Sequence, residues 1–209
     1  DEIRSIHEEM IDIIKRNRIF RNGTISGYVV AGFDGAELFS STKKSCPNCL
    51  TRKKLTGETE YFHRSVVCMT IGKSPHVILG QEMLKPRDLS GFEMEGCPYK
   101  LRVVRYHEQW EENGKETERF MWLVTTLEAA DYRVLWEMMH RRWDIEENGF
   151  HQLKTYYHAK HCYCHDAVET ISNLIIIGFN VRELYLYRRS RSFVGSGISR
   201  KSINRIFLR

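Results

Sequence analysis

Two pairs of strand-like runs, one joined by a turn too short for a crossover and the other flanking an Asn-Gly hairpin signal, limit what this chain can become. Tyr61 to Ile71 and His76 to Met83 are separated by Gly72-Lys73-Ser74-Pro75, and Tyr99 to Tyr106 and Arg119 to Thr126 flank Asn113-Gly114. Parallel neighbours need a connection of a dozen or more residues, usually a helix, whereas a hairpin needs only a few turn formers. Each pair is therefore expected to be antiparallel. An earlier run, Ile25 to Phe33, is rich in β-branched and aromatic residues and meets Asp34-Gly35, which reads as a strand entering a turn. Ser40 to Gly57 reads as a polar loop.

Helical patterns flank these strands. Residues 1–20 set Ile3, Ile6, Met10, Ile13 and Ile14 on one stripe, ended by Asn22-Gly23. From Asp131, placed as an N-cap, a helical pattern continues to His158, and a second runs from Asp166 to Tyr187. The second is apolar on most of its surface and is expected to be buried. Cys68, within a hairpin strand, is expected to be buried as a small hydrophobe.

Composition narrows the class. A chain of 209 residues with 42% hydrophobic residues and ten Phe, ten Tyr and four Trp can bury a core, which excludes a disordered chain. The longest uncharged apolar stretch, Leu174 to Phe179, is far short of the roughly 20 residues that span a bilayer, so no membrane partner is expected. No signal segment opens the sequence, and the first residue is Asp1, so a cytoplasmic protein cut from a longer reading frame is expected. The six cysteines are irregularly spaced, which points to free thiols.

Net charge is +5, yet eight Lys/Arg against the lone Glu183 lie between Arg182 and Arg209, leaving −2 for everything before. Arg188, Arg189 and Arg191 in this stretch suit contact with a polyanion, because each cation near a phosphate releases counterions. A solvated terminus explains the same charges equally well.

Two acids stand out: Asp34 after the first strand and Glu146 within a late helix. An acid leaving a strand and another from a packed helix are how hard oxygen ligands are held for Mg²⁺ in phosphoryl-transfer sites. Arg142 lies one helical turn before Glu146 and Lys154 two turns after it, so cations flank that carboxylate. A salt-bridged surface helix has the same spacing.

The chain resembles a known family on two blocks. Phe33-Asp34-Gly35, Phe39-Ser40-Ser41, Cys46-Pro47-Asn48-Cys49-Leu50-Thr51-Arg52 and Tyr61-Phe62-His63 resemble the first catalytic block of insertion-sequence DDE transposases. Arg142-Trp143-Asp144-Ile145-Glu146, continuing through Gly149-Phe150 and Leu153-Lys154 to His161 and His165, resembles the block with the final acid. The resemblance implies an α/β, RNase H-like mixed sheet with flanking helices and a β-hairpin insertion before the last catalytic helix. It implies Asp34 and Glu146 as catalytic metal ligands for Mg²⁺ or Mn²⁺, and Arg142 and Lys154 as DNA-contacting or site-organising cations. DNA at the ends of a transposable element would be the partner, with a homo-oligomer as the working form. The implied segments are 1–98 as the first half of the catalytic domain, 99–128 as the remnant of the insertion, 129–188 as its closing helices and 189–209 as a basic tail.

The chain also departs from this pattern. The family carries a second Asp at the end of a fourth, parallel strand, and the stretch between Met83 and Tyr99 has no room for a helical crossover together with that strand. Asp88 follows Pro86 at the exit of an antiparallel strand, so Asp88 to Gly91 reads as a junction from which the central segment is missing. Three functions follow: a transposase acting on DNA ends, a non-catalytic DNA-binding remnant, and a zinc-stabilised structural module. For zinc, Cys46 and Cys49 form a half site, and His161, Cys162, Cys164 and His165 form another cluster that could complete it across space. Neither stretch supplies two clear ligand pairs, so zinc is not expected.

Overall fold

The computed structural model describes residues 2–84, 102–125, 127, 129–161, 167–193 and 202. The chain divides into two compact units, Asp1–Arg87 with Arg142–Arg209, and Asp88–Arg141. It is a mixed α/β protein whose described strands pair antiparallel. No described helix is long and apolar enough to cross a membrane.

In the larger unit, β3 (Thr59–Thr70) is the central strand. β1 (Ala31–Ser41) pairs along one side of it, while β4 (Ile78–Leu84) and the short β2 (Leu50–Lys53) pair with its other side. The first hairpin forms as its short turn requires. The stretch read as a loop, Ser40 to Gly57, contains β2, because Leu50 to Lys53 find ladder partners in Phe62 to Thr59.

The first strand is displaced from its expected span. Ile25 and Tyr28 close a small turn, and β1 starts at Ala31 and passes straight through Asp34-Gly35, which pair with Val67 and Val66. Asp-Gly is a turn former only where no ladder competes; here the long β3 supplies one. Asp34 therefore lies inside the strand rather than at its end. Near the end of β1 the register slips by one residue between Leu38 and Ser41, where Phe39 has φ 52° and is fully buried. Such a bulge re-aims the side chains around it.

Helix α1 (Glu2–Arg16) buries His7, Ile11 and Ile14, whereas Ile6 and Ile13 are exposed. The expected stripe is thus rotated, and a histidine takes a core position. His7 Nε2–H donates to the Ile78 carbonyl at 3.0 Å. Asn180 of α4 (Val168–Phe193) clasps the same residue, accepting from Ile78 N and donating to Ile78 O, each at 2.8 Å. Ile11, Ile14 and Val77 form the adjoining core, with Phe20, Leu79 and Leu184 against it. Helix α4 is less buried than its composition suggests: Leu174 and Val181 are about half exposed.

Burial lowers the His7 pKa below its ordinary 6.5, against the opposing pull of its bond to Ile78. The folded state then binds fewer protons than the unfolded one. His7 stabilises fully above about pH 6.5, and that contribution is lost as pH falls through the lowered folded value. Urea unfolding between pH 7.5 and 5 should show this acid loss, and His7→Gln should flatten it; an unchanged slope in the variant would exclude His7 as its source.

The smaller unit holds β5 (Arg102–Glu112) and β6 (Lys115–Thr125), a hairpin turning at Asn113-Gly114, and helix α2 (Tyr132–His140). Asp131 caps α2 as expected, accepting from Arg133 N at 2.8 Å. Val104, Ala130 and Leu135 form its core.

The helix expected to run unbroken to His158 is interrupted. After Arg141-Arg142 the chain makes a π-helical turn, Ile145–Phe150, in which His151 N donates to Glu146 O, and then the short helix α3 (His151–Tyr156). One residue more per turn shifts every later side chain off the 3.6-residue pattern. The Asp88 junction and the start expected at Asp166 lie outside the described residues.

Candidate functional site

Two glycine contacts seat the π-helical turn on the sheet. A Cβ on Gly32 would stand 2.5 Å from Ile145 Cδ1, and one on Gly149 would stand 2.8 Å from Met69 Sδ. Gly32 and Met69 are register partners across β1 and β3. The turn therefore lies close over this stretch of sheet, with Ile145 wholly buried. Its start is tied down as well, since Asp144 Oδ2 accepts from Gly72 N at 2.8 Å.

This docking brings Glu146 beside Asp34, which shares the alternating face of β1 with Gly32 and the buried Ala36 and Leu38. Arg142 Nη1 lies 3.6 Å from Asp34 Oδ2 and 3.5 Å from Glu146 Oε1. One nitrogen that near both oxygens caps their separation at roughly 7 Å. The three side chains are between about a third and a half exposed, so a phosphate or hydrated ion could reach them. Asp34 Oδ1 is also held, accepting from Gly35 N at 2.7 Å. Among the described residues this pair belongs to no closely gathered group of three metal-ligating side chains.

Among the described residues, the other candidate cations form no ion pair with these acids. Lys154 Nζ lies 5.7 Å from the Phe150 ring centroid, a cation–π contact with the last residue of the π-helical turn. Arg188 and Arg189 are exposed near the end of α4. The Arg191 side chain and most of the basic tail lie outside the described residues.

A second cluster forms at the bulged end of the sheet. Cys46 and Cys49 Sγ are 3.6 Å apart, and His63 Nε2 lies 3.5 Å from the first and 3.4 Å from the second. Cys49 and His63 are buried and Cys46 is half-buried. Neither cysteine is in a disulfide, and the group could hold a metal ion. His63 has no ligand spacing of its own in the sequence, standing fourteen residues from Cys49. The usable signal is a histidine on β3, the strand that pairs with the short β2 into which the Cys-x-x-Cys turn leads. Of the remaining candidates, His161 is exposed, and Cys162, Cys164 and His165 lie outside the described residues.

No family model, curated protein or solved structure matches this chain.

Proposed function

We propose that the chain is a DNA transposase derivative whose Asp34 and Glu146 bind a divalent cation beside a DNA phosphate. The observation that carries this reading is the convergence of two carboxylates, from a central-sheet strand and a distant helical turn, on one guanidinium. The strand order adds support. β4, β3 and β1 lie side by side, and β1 has no described partner on its outer edge, where the parallel strand of an RNase H-like sheet would pair.

The donor set is chemically suitable, because Mg²⁺ and Mn²⁺ take carboxylate oxygens. A bound ion would stabilise charge on a phosphodiester and lower the pKa of its water. Arg142 occupies the gap between the acids, and an incoming cation would compete with it. Once displaced, its planar fork could pair with a phosphate oxygen.

The non-catalytic reading has its own support in the lack of a third closely gathered ligand among the described residues, since an incomplete cage holds Mg²⁺ weakly. Supercoiled plasmid incubated with Mn²⁺ separates the two. Metal-dependent nicking that disappears in both Asp34→Ala and Glu146→Ala is expected of a working site. Plasmid retarded on a gel but never nicked supports the DNA-binding remnant, and a protein that neither retards nor nicks DNA removes both readings.

A further inference from the structure

The Cys46–Cys49–His63 cluster has the dimensions of three vertices of a zinc tetrahedron. With Zn–S near 2.3 Å and Zn–N near 2.0–2.1 Å, tetrahedral angles place two sulfurs about 3.8 Å apart and each sulfur about 3.6 Å from the nitrogen. The three separations are 3.6, 3.5 and 3.4 Å. A disulfide would need about 2.05 Å between the sulfurs. Three side chains from a turn and a strand thus surround a point at which one small soft cation fits.

The backbone is arranged to the same end. Cys46 N–H donates to Cys49 Sγ at 3.3 Å, and Cys49 N–H donates to Cys46 O at 3.1 Å, which closes the Cys-x-x-Cys turn. Directly after Cys49, Leu50 enters β2 opposite Phe62, the neighbour of His63. Arg52 then ties β2 to β3 and to β1 beyond it, with a bond to Glu60 at 2.7 Å and a two-pronged contact to Glu37 at 2.8 Å. His63 itself pairs with Leu38 where the β1 register slips. In β3, burial alternates along Ser65, Val67 and Met69, and His63 falls on that inner set, whereas Phe62 and Glu60 belong to the other. The bulge therefore coincides with the place where the imidazole meets the sulfurs.

We propose that Cys46 Sγ, Cys49 Sγ and His63 Nε2 bind Zn²⁺, the fourth ligand coming from outside this trio. The ion clasps the Cys46–Cys49 turn, and with it β2, onto β3. Two thiolates and an imidazole select zinc over Mg²⁺ or Mn²⁺, which prefer oxygen. The site is chemically separate from the carboxylate pair, so it stands whether or not the chain cuts DNA.

Protein purified without added metal should carry close to one zinc per chain, released by an organomercurial that blocks thiols. X-ray absorption at the zinc edge should show sulfur ligands at about 2.3 Å. Chelator-stripped protein given Co²⁺ should develop the intense thiolate-to-metal absorption of a tetrahedral site. Cys46→Ser and His63→Asn should each weaken zinc binding by more than the roughly 10–100-fold that loss of an outer-shell partner costs, and Cys68→Ser should leave it unchanged. The wild-type measurements stand even if a variant fails to fold. Absence of both retained zinc and the Co²⁺ thiolate band, or a zinc shell of nitrogen and oxygen alone, overturns the proposal.

Discussion

Arg182→Met is expected to destabilise the protein by about 3–5 kcal/mol, the range for a buried ion pair that loses one member. Arg182 and Glu183, neighbours on α4, are 1% and 0% exposed. Arg182 Nη2 donates to Glu183 Oε1 at 2.5 Å and also to Gln152 Oε1. The guanidinium lies 5.3 Å from the Phe179 ring centroid and 5.7 Å from that of Tyr157. Methionine can occupy much of this apolar volume, but it leaves the Glu183 carboxylate without its cation. The charge, more than the packing, should carry the loss. Replacing both members with Arg182→Met and Glu183→Leu should recover much of the stability, because a well-packed apolar pair avoids desolvating two ions. Denaturant unfolding of the single and double variants tests this. Equal losses in both would mean that lost packing, not an unpaired charge, sets the penalty. Gln152 belongs to α3, directly after the π-helical turn, so the same bond links α4 to the segment that carries Glu146.

What the sequence disclosed follows from which interactions are local. Asn113-Gly114 and the Gly72 to Pro75 stretch act over a few residues, and the hairpins formed around them. Asp131 caps α2 with its own side chain, a bond visible in the order of residues alone. Asp34-Gly35 misled because its extended conformation is supplied by β3, some thirty residues later. The break after Arg142 was hidden for a related reason: a π-helical turn keeps helical residue types while adding a residue to the period. In α1, periodicity marked the isoleucines, yet the position facing Ile78 and Asn180 went to His7, whose ring can donate to a buried carbonyl. The candidate zinc ligands were half legible. Cys46 and Cys49 advertise themselves by spacing, whereas His63 joins them through strand pairing and a bulge that no short motif encodes. The approach of Asp34 to Glu146 depends on Gly32 and Gly149 letting the turn lie close over the sheet, a tertiary fact with no local mark.

Gly72→Ala should cost about 3 kcal/mol or more, while Gly27→Ala should cost only about 1 kcal/mol, although both glycines have positive φ. Their φ values, 96° and 85°, impose a comparable penalty on any side chain with a Cβ. Their surroundings differ. At Gly27 nothing lies within 4 Å of an added Cβ, whereas at Gly72 it would stand 2.5 Å from the Thr24 carbonyl oxygen and 3.0 Å from the carbon bearing it. Backbone atoms cannot rotate away as the end of a flexible side chain can. Thr24 is itself fixed, because its carbonyl accepts from Lys73 N at 2.9 Å and its hydroxyl accepts from Val30 N at 2.9 Å. Relief must come from moving the Gly72 turn, and that turn holds Asp144 through the Gly72 N–H and His76 through the Gly72 carbonyl. The disturbance should therefore travel to the π-helical turn. Hydrogen exchange at the amides of residues 145–150 is expected to quicken in Gly72→Ala and to stay unchanged in Gly27→Ala. Equal stability losses in the two variants, with no difference in exchange, would show that φ alone sets the cost and that the Gly72–Asp144 bond does not position Glu146.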